Sequence, residues 1–379
     1  MNHKKLKIFL VMSGAAAAIK DSEIMYLNIL DSLKGLGHEV IHYDFSSKWS
    51  EIHGSTDDEK KDNLTSDILH NFKKGDGYDL FLSFLTDLFV TPRLYKDLKG
   101  ICPSVNWTCN SHQFDDLHKE ISSHVDLNTY ITLDHEKLYD SVGASSYWMP
   151  MAANPKFYKN QDIKDIDVSF MGSAYGKRPY YVWRLLQSGI NVDIHGFGWK
   201  FDMSLSNFIR IYLHPSAISI FKHSRKLHYI EANTRDNILK LLNKEYKIGN
   251  PLTDTQYADY LSRSKITLNF PESRVNHDYM NPEMIWGVNF RDFEAPMSGA
   301  LLITQFSKEL EFFYEDGKEV ISFNNEHELI DKCKFYSIND ASRIKIARAG
   351  YERAVSEHTW ENRFIKLFDH LDDTHNIYS

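Results

Sequence analysis

Ile8-Phe9-Leu10-Val11-Met12-Ser13-Gly14 is an unbroken apolar run closed by a turn pair, and its reading decides the fold. A strand covered on one face would alternate apolar with polar residues, whereas a strand buried on both faces of a parallel sheet reads as a continuous apolar run. Working outward, Asp21 or Ser22 can cap a helix in which Met25, Ile29, Leu33 and Leu36 recur at helical spacing. Gly37 can end that helix, and residues 40–43 open the next strand, completing a β-α-β unit. Further strands are predicted at residues 80–84, 101–107, 130–133 and 147–149. Such alternation predicts an α/β fold built on a parallel sheet.

A second series follows Ala152-Ala153-Asn154-Pro155-Lys156-Phe157 and the polar stretch 159–165. Strands are predicted at 166–171, 192–195, 266–270, 300–304 and 319–323, with a helix over 178–188. The chain therefore reads as two Rossmann-like α/β domains, residues 1–158 and 159–356, with a cleft between them and a closing helix at 357–379. Ligands of such sheets bind beyond the carboxyl ends of the strands, so the loops there carry the functional interest. Within the second domain, residues 203–247 hold eight Lys/Arg against three Asp/Glu, interleaved with aromatic and aliphatic side chains. Two readings stand open: an inserted helical hairpin with a solvated basic face, or a surface for lipid headgroups or a phosphate-bearing acceptor.

Composition narrows the class. Of 379 residues 42% are hydrophobic, enough to fill two cores, which excludes a mostly disordered chain. The net charge of −8 argues against a nucleic-acid binder. No stretch reaches the roughly 18 apolar residues of a membrane helix. The first apolar run is shorter than the ~7–15 residues of a secretory leader. Three scattered cysteines, Cys102, Cys109 and Cys333, make neither a disulfide framework nor a zinc site and fit a cytoplasmic protein.

Three strand-end segments can carry chemistry. Gly172-Ser173 followed by Lys177-Arg178 puts a glycine turn and two cations near a helix start, where amide N–H groups and guanidinium suit a diphosphate; solvated cations are the plainer reading. In Gly287-Val288-Asn289-Phe290-Arg291-Asp292-Phe293-Glu294-Ala295-Pro296-Met297-Ser298-Gly299, a carboxylate opens a small-residue helix before an apolar strand. Glu294 there can accept from the vicinal diol of a ribose or simply favour the helix dipole. Arg291 can pair with Glu294 or hold phosphate. His112, past the strand ending at Trp107, suits an acid, a base or a sugar-hydroxyl contact, or is a surface histidine, and Asp115 and Asp134 are equally ambiguous. Asp165-Ile166-Asp167 precedes a strand, on the wrong edge of the sheet for a metal site, and reads as solvated. The chain has no Gly-x-x-x-x-Gly-Lys-Ser/Thr loop and no Gly-x-Ser-x-Gly elbow, and Gly196-Phe197-Gly198-Trp199 lacks the last glycine of a dinucleotide fingerprint.

From about Val168 to Phe364 the sequence resembles the donor domain of GT-B glycosyltransferases, especially the CgeB-like (spore maturation protein) branch. The resemblance rests on Val168-Ser169-Phe170-Met171-Gly172-Ser173 with Arg178, on His195-Gly196-Phe197-Gly198-Trp199, on Arg291 through Leu301, and on a closing helix pair with His358-Thr359-Trp360. Met149 through Phe157 is similar to the interdomain segment of these enzymes. It implies an acceptor domain first and a nucleotide-sugar donor domain second, with the helix after Trp360 crossing back to the first. It implies donor contacts from Gly14, Gly172, Ser173, Arg178, Gly198, Asn289 and Glu294, and a catalytic role for His112 and Arg291. In related family-4 enzymes two glutamates stand eight positions apart; here Trp286 occupies the first position, with Glu283 nearby. The expected activity is metal-independent, retaining hexosyl transfer from a nucleotide-diphosphate sugar, with no further cofactor, to a glycan, lipid-linked or protein acceptor in polysaccharide synthesis. A GT-B epimerase or phosphorylase and a non-catalytic nucleotide- or glycan-binding module are the alternatives.

Overall fold

A computed structural model describes residues 4–14, 22–109, 113–174, 177–199, 248–274, 284–375 and 377–378. The chain forms two compact units: Met1–Phe157 together with Ser356–Ser379, and Tyr158–Val355. The basic stretch 203–247, His112 and Glu283 lie outside the described residues.

In the first unit, strands β1 (Lys7–Met12), β2 (Glu39–Asp44), β3 (Leu80–Ser83), β4 (Ser104–Trp107), β5 (Leu127–Tyr130) and β6 (Ser146–Trp148) form one sheet in the order β2-β1-β3-β4-β5-β6. Every pairing is parallel. The opening apolar run is an interior strand: Ile8 through Met12 are all buried. The helix after it is a π-turn, Tyr26–Leu30, continued by Asp31–Gly35. Gly37, at φ +87°, ends it, with the Gly37 and His38 amides donating back to Lys34 and Leu33. Helix α1 (Asp57–Lys73) packs Leu64, Ile68, Leu69 and Phe72 onto Phe9 and Phe81.

Two strands depart from expectation for a physical reason. β4 begins three residues late because Ile101 is exposed, and β5 lies three residues early. Leu127-Asn128-Thr129-Tyr130 looks too polar for a central strand, yet all four side chains are buried. The Asn128 Nδ2 donates to the carbonyls of Ser122 (2.9 Å) and Ser145 (3.2 Å), which offsets part of the cost of burying the amide.

The second unit has the sheet order β14-β13-β10-β7-β8-β9, again wholly parallel. Its strands are β7 (Ile166–Met171), β8 (Asp193–His195), β9 (Ile248–Gly249), β10 (Ser264–Asn269), β13 (Leu301–Gln305) and β14 (Ile321–Phe323). A separate antiparallel pair, β11 (Glu272–Arg274) and β12 (Met284–Trp286), sets Trp286 opposite Glu272 in register. Helices α2 (Arg178–Gln187), α3 (Asp254–Arg263), α4 (Phe290–Met297), α5 (Glu326–Ile338) and α6 (Asp340–Glu357) belong to this unit except for the end of α6. Its core joins Val168, Phe170, Leu185, Leu268, Ile303 and Phe323. The strand order reverses between β7 and β10, the place where open parallel sheets bind ligands.

The last helix, α7 (Trp360–His375), packs on the first unit: Trp360 meets Trp107 edge-on at 5.5 Å, and Arg363 donates to the carbonyls of Pro150 and Met151. No helix among the described residues is long and apolar enough to cross a membrane.

Candidate functional site

The site grows from the loops at the β7/β10 switch. β7 runs into Gly172-Ser173-Ala174 and β8 into Gly196-Phe197-Gly198, and backbone bonds stitch the two together. The Gly172 amide donates to His195 O and the Ala174 amide to Phe197 O, both at 2.8 Å. The indole of Trp199 donates to Gly172 O at 2.6 Å. Only glycine fits position 196: its φ is +151°, and a Cβ would stand 2.2 Å from Gly172 O. Gly198, at φ +82°, turns the same loop. The expectation of free amides after β7 is thereby corrected at Gly172 and Ala174, because the end of β8 and the loop after it have taken them.

Two guanidinium groups flank Gly172. Arg178, the first residue of α2, is buried and clamps the end of β10, donating from Nε (3.1 Å) and Nη2 (2.8 Å) to Phe270 O. Its Nη1 reaches Ser173 O at 3.3 Å. A Cβ on Gly172 would lie 3.4 Å from Nη1 of Arg178 and 3.6 Å from Nη1 of Arg291. The space that a side chain at Gly172 would fill is thus bordered by both cations.

Helix α4 supplies the remainder. Asn289 caps it, accepting from the Arg291 amide at 2.9 Å, and Asp292 answers by accepting from the Asn289 amide at 2.8 Å. This reciprocal capping box spends the Asn289 side chain on the helix start. Asp292 also accepts from Asn269 at 2.8 Å and Thr304 at 2.9 Å, tying the cap to β10 and β13. The helix starts four residues before Glu294, so the first-turn acid is Asp292, and a dipole role for Glu294 is corrected accordingly.

Glu294 is 3% exposed and holds two phenols: Tyr158 donates to Oε1 at 2.6 Å and Tyr257 to Oε2 at 2.5 Å. Arg291 donates to the Tyr257 oxygen from Nε (3.1 Å) and Nη2 (2.7 Å). Arg291 is therefore joined to Glu294 through the Tyr257 hydroxyl. Burial raises the Glu294 pKa, with Arg291 and the two phenols pulling back. Burial opposes the Arg291 charge, but Tyr257 and Glu294 outweigh it and its pKa is raised. Asp292 is pushed up to about 6 by burial despite its three donors.

Lys164 braces the far ends of α3 and α4, donating to Ser262 O at 2.6 Å and Ser298 O at 2.9 Å. Burial lowers its pKa to about 8. An unfolded lysine titrates near ~10.4, so between those values the unfolded chain binds more protons and stability rises with pH. Replacing Lys164 by Met removes that cost. The melting temperature of Lys164→Met relative to the wild type is expected to change little below about pH 8 and to fall from there to pH 10, and a constant difference across a thermal-melt series would refute it.

Of the residues expected on the donor side, Gly172, Ser173, Arg178, Arg291, Glu294, Asn289 and Gly198 come together in the second unit. Gly14 belongs to the first unit, where it follows β1 under the ring of Tyr26, which a Cβ would strike at 2.4 Å. Tyr158, Tyr257, Asn269 and Asp292 were missing from the expectation. For Asp292 a signal existed, the Asn-x-x-Asp spacing of a capping box. Asp165 and Asp167, read as solvated, carry surface ion pairs with Arg263 and Lys265.

These two parallel-sheet, Rossmann-like units match the structures of GT-B glycosyltransferases. Anabaena HepE in complex with UDP superposes with a TM-score of 0.60 at 10% identity, covering 97% of this chain and 100% of that one. Sucrose-phosphate synthase from Thermosynechococcus elongatus gives 0.58 at 11%, covering 97% and 99%. A Listeria monocytogenes protein named for UDP-N-acetylglucosamine 2-epimerase gives 0.54 at 12%, covering 98% of each chain. At such identities the likeness is one of fold. In sequence, residues 182–369 match the family described as glycosyl transferase-like, so this chain carries a glycosyltransferase-like domain. No curated protein matches the chain in sequence.

Proposed function

We propose that the protein is a glycosyltransferase of the CgeB-like branch that moves a hexose from a nucleotide-diphosphate sugar to an acceptor hydroxyl, with retention and without a metal. The observation that supports it best is the pair of guanidinium groups, Arg178 and Arg291, at Gly172, with the Glu294 carboxylate joined to the same network. Breaking a sugar–phosphate bond builds negative charge on the departing diphosphate, and fixed cations beside a bare glycine are suited to stabilise it. Glu294 keeps acceptor capacity: a carboxylate has about four lone-pair sites, and two are taken. A ribose diol would use the others. The first unit carries the acceptor, a glycan, lipid-linked or protein hydroxyl in polysaccharide synthesis. The reading places the protein in the cytoplasm, with the basic segment 203–247 meeting an anionic surface.

HepE was solved with UDP, which makes UDP-sugars the first donors to try. The test is release of nucleoside diphosphate from a panel of nucleotide sugars, with and without acceptor glycans. Turnover is expected to survive EDTA; complete loss restored by Mn²⁺ would overturn the metal-independent part. The Listeria neighbour favours one rival, an epimerase. Inversion at a sugar carbon other than the anomeric one, with no transfer product, would establish it.

A further inference from the structure

We infer that Tyr257 is the positioning residue for Arg291, its hydroxyl fixing the guanidinium so that the Nη1 edge is presented at Gly172, where the donor diphosphate lies. The inference rests on the reading of the second unit as the nucleotide-sugar unit.

A phenol has one proton and two lone pairs. Tyr257 donates its proton to Glu294 and accepts from both Nε and Nη2 of Arg291, so its hydroxyl is saturated and has nothing left for a ligand. Its contribution must pass through its neighbours. Arginine is long and flexible, and its guanidinium is worth most to an anion when its fork is held in one orientation. Tyr257 holds two adjacent donors on one oxygen, and the opposite edge of the fork then stands 3.6 Å from the Cβ position of Gly172. Burial, first among the causes, keeps the Tyr257 phenol protonated, so the hydroxyl remains a donor to Glu294 at neutral pH. Tyr257 itself is set by α3, whose own capping box joins Thr253 and Gln256. Tyr158 touches the other Glu294 oxygen and serves as the contrast.

The experiment is calorimetry of UDP, uridine and inorganic pyrophosphate on the wild type, Tyr257→Phe and Tyr158→Phe, with thermal melts to confirm folding. Tyr257→Phe is expected to weaken UDP and pyrophosphate about tenfold or more, as for loss of a hydrogen bond to a charged group, and to leave uridine within about twofold. Tyr158→Phe should shift UDP and uridine alike. The Tyr257→Phe and Arg291→Lys losses should not add in the double variant, because one acts through the other. An unchanged UDP-to-uridine ratio in folded Tyr257→Phe overturns the inference and leaves the nucleotide reading standing. A wild type that binds none of the three probes overturns both. If Tyr257→Phe does not fold, Arg291→Lys is read in its place: lysine keeps the charge without the fork, and an undiminished ratio again overturns the inference.

Discussion

Arg291→Ala is expected to lower the turnover of sugar transfer by roughly 10²–10³-fold, the usual loss when one preorganised donor is taken from developing charge. Arg291 is half-buried at the mouth of α4, its backbone fixed by the Asn289 cap and its fork by Tyr257. Nothing has to reorganise when charge appears on the leaving group, so the loss should fall on kcat more than on KM. Arg178 stands at the same glycine but spends Nε and Nη2 on Phe270 O and so also holds β10. Arg291 is therefore the cleaner probe. Steady-state kinetics on protein with an unaltered circular dichroism spectrum provide the test, and retention of more than a tenth of wild-type kcat would remove Arg291 from the leaving-group site.

Glu294→Ala should weaken UDP binding by about 1.5–3 kcal/mol, the range for a hydrogen bond to a charged group. It should also cost stability, because the hydroxyls of Tyr158 and Tyr257 lose their buried acceptor, at about 1–3 kcal/mol for each one left unsatisfied. Glu294→Gln keeps one acceptor oxygen and should fall between the two. Titration of UDP beside a denaturant melt separates the effects: a folded Glu294→Ala that binds UDP as the wild type does would take the carboxylate off the nucleotide.

Much of this could be read from the chain, and what could not has identifiable causes. β1 announced itself because Ile8 through Met12, buried on both faces of the sheet, include no polar residue. β5 was displaced because Asn128 is buried with its amide N–H groups donated to backbone carbonyls outside the strand, which the strand's own residues do not reveal. Gly172, Arg291 and Glu294, which the structure brings together, lie within short motifs and were legible. Tyr158 and Tyr257 were not, since a phenol that meets a carboxylate 136 or 37 residues away leaves no mark near itself. Asn289, a donor contact by the family resemblance, is also the residue that caps α4.

The return of α7 to the first unit means that this unit is built from two stretches of chain with the whole second unit between them. During synthesis Trp107 and His38 leave the ribosome long before Trp360 and Phe368, the partners that cover them. At about 5–20 residues per second the intervals run from roughly 13 to 66 s. The second unit, being contiguous, can close on itself in that time, while the first waits with an apolar face uncovered. Of the two units, the one begun first is thus the last to be finished, and it is the one a chaperone would meet.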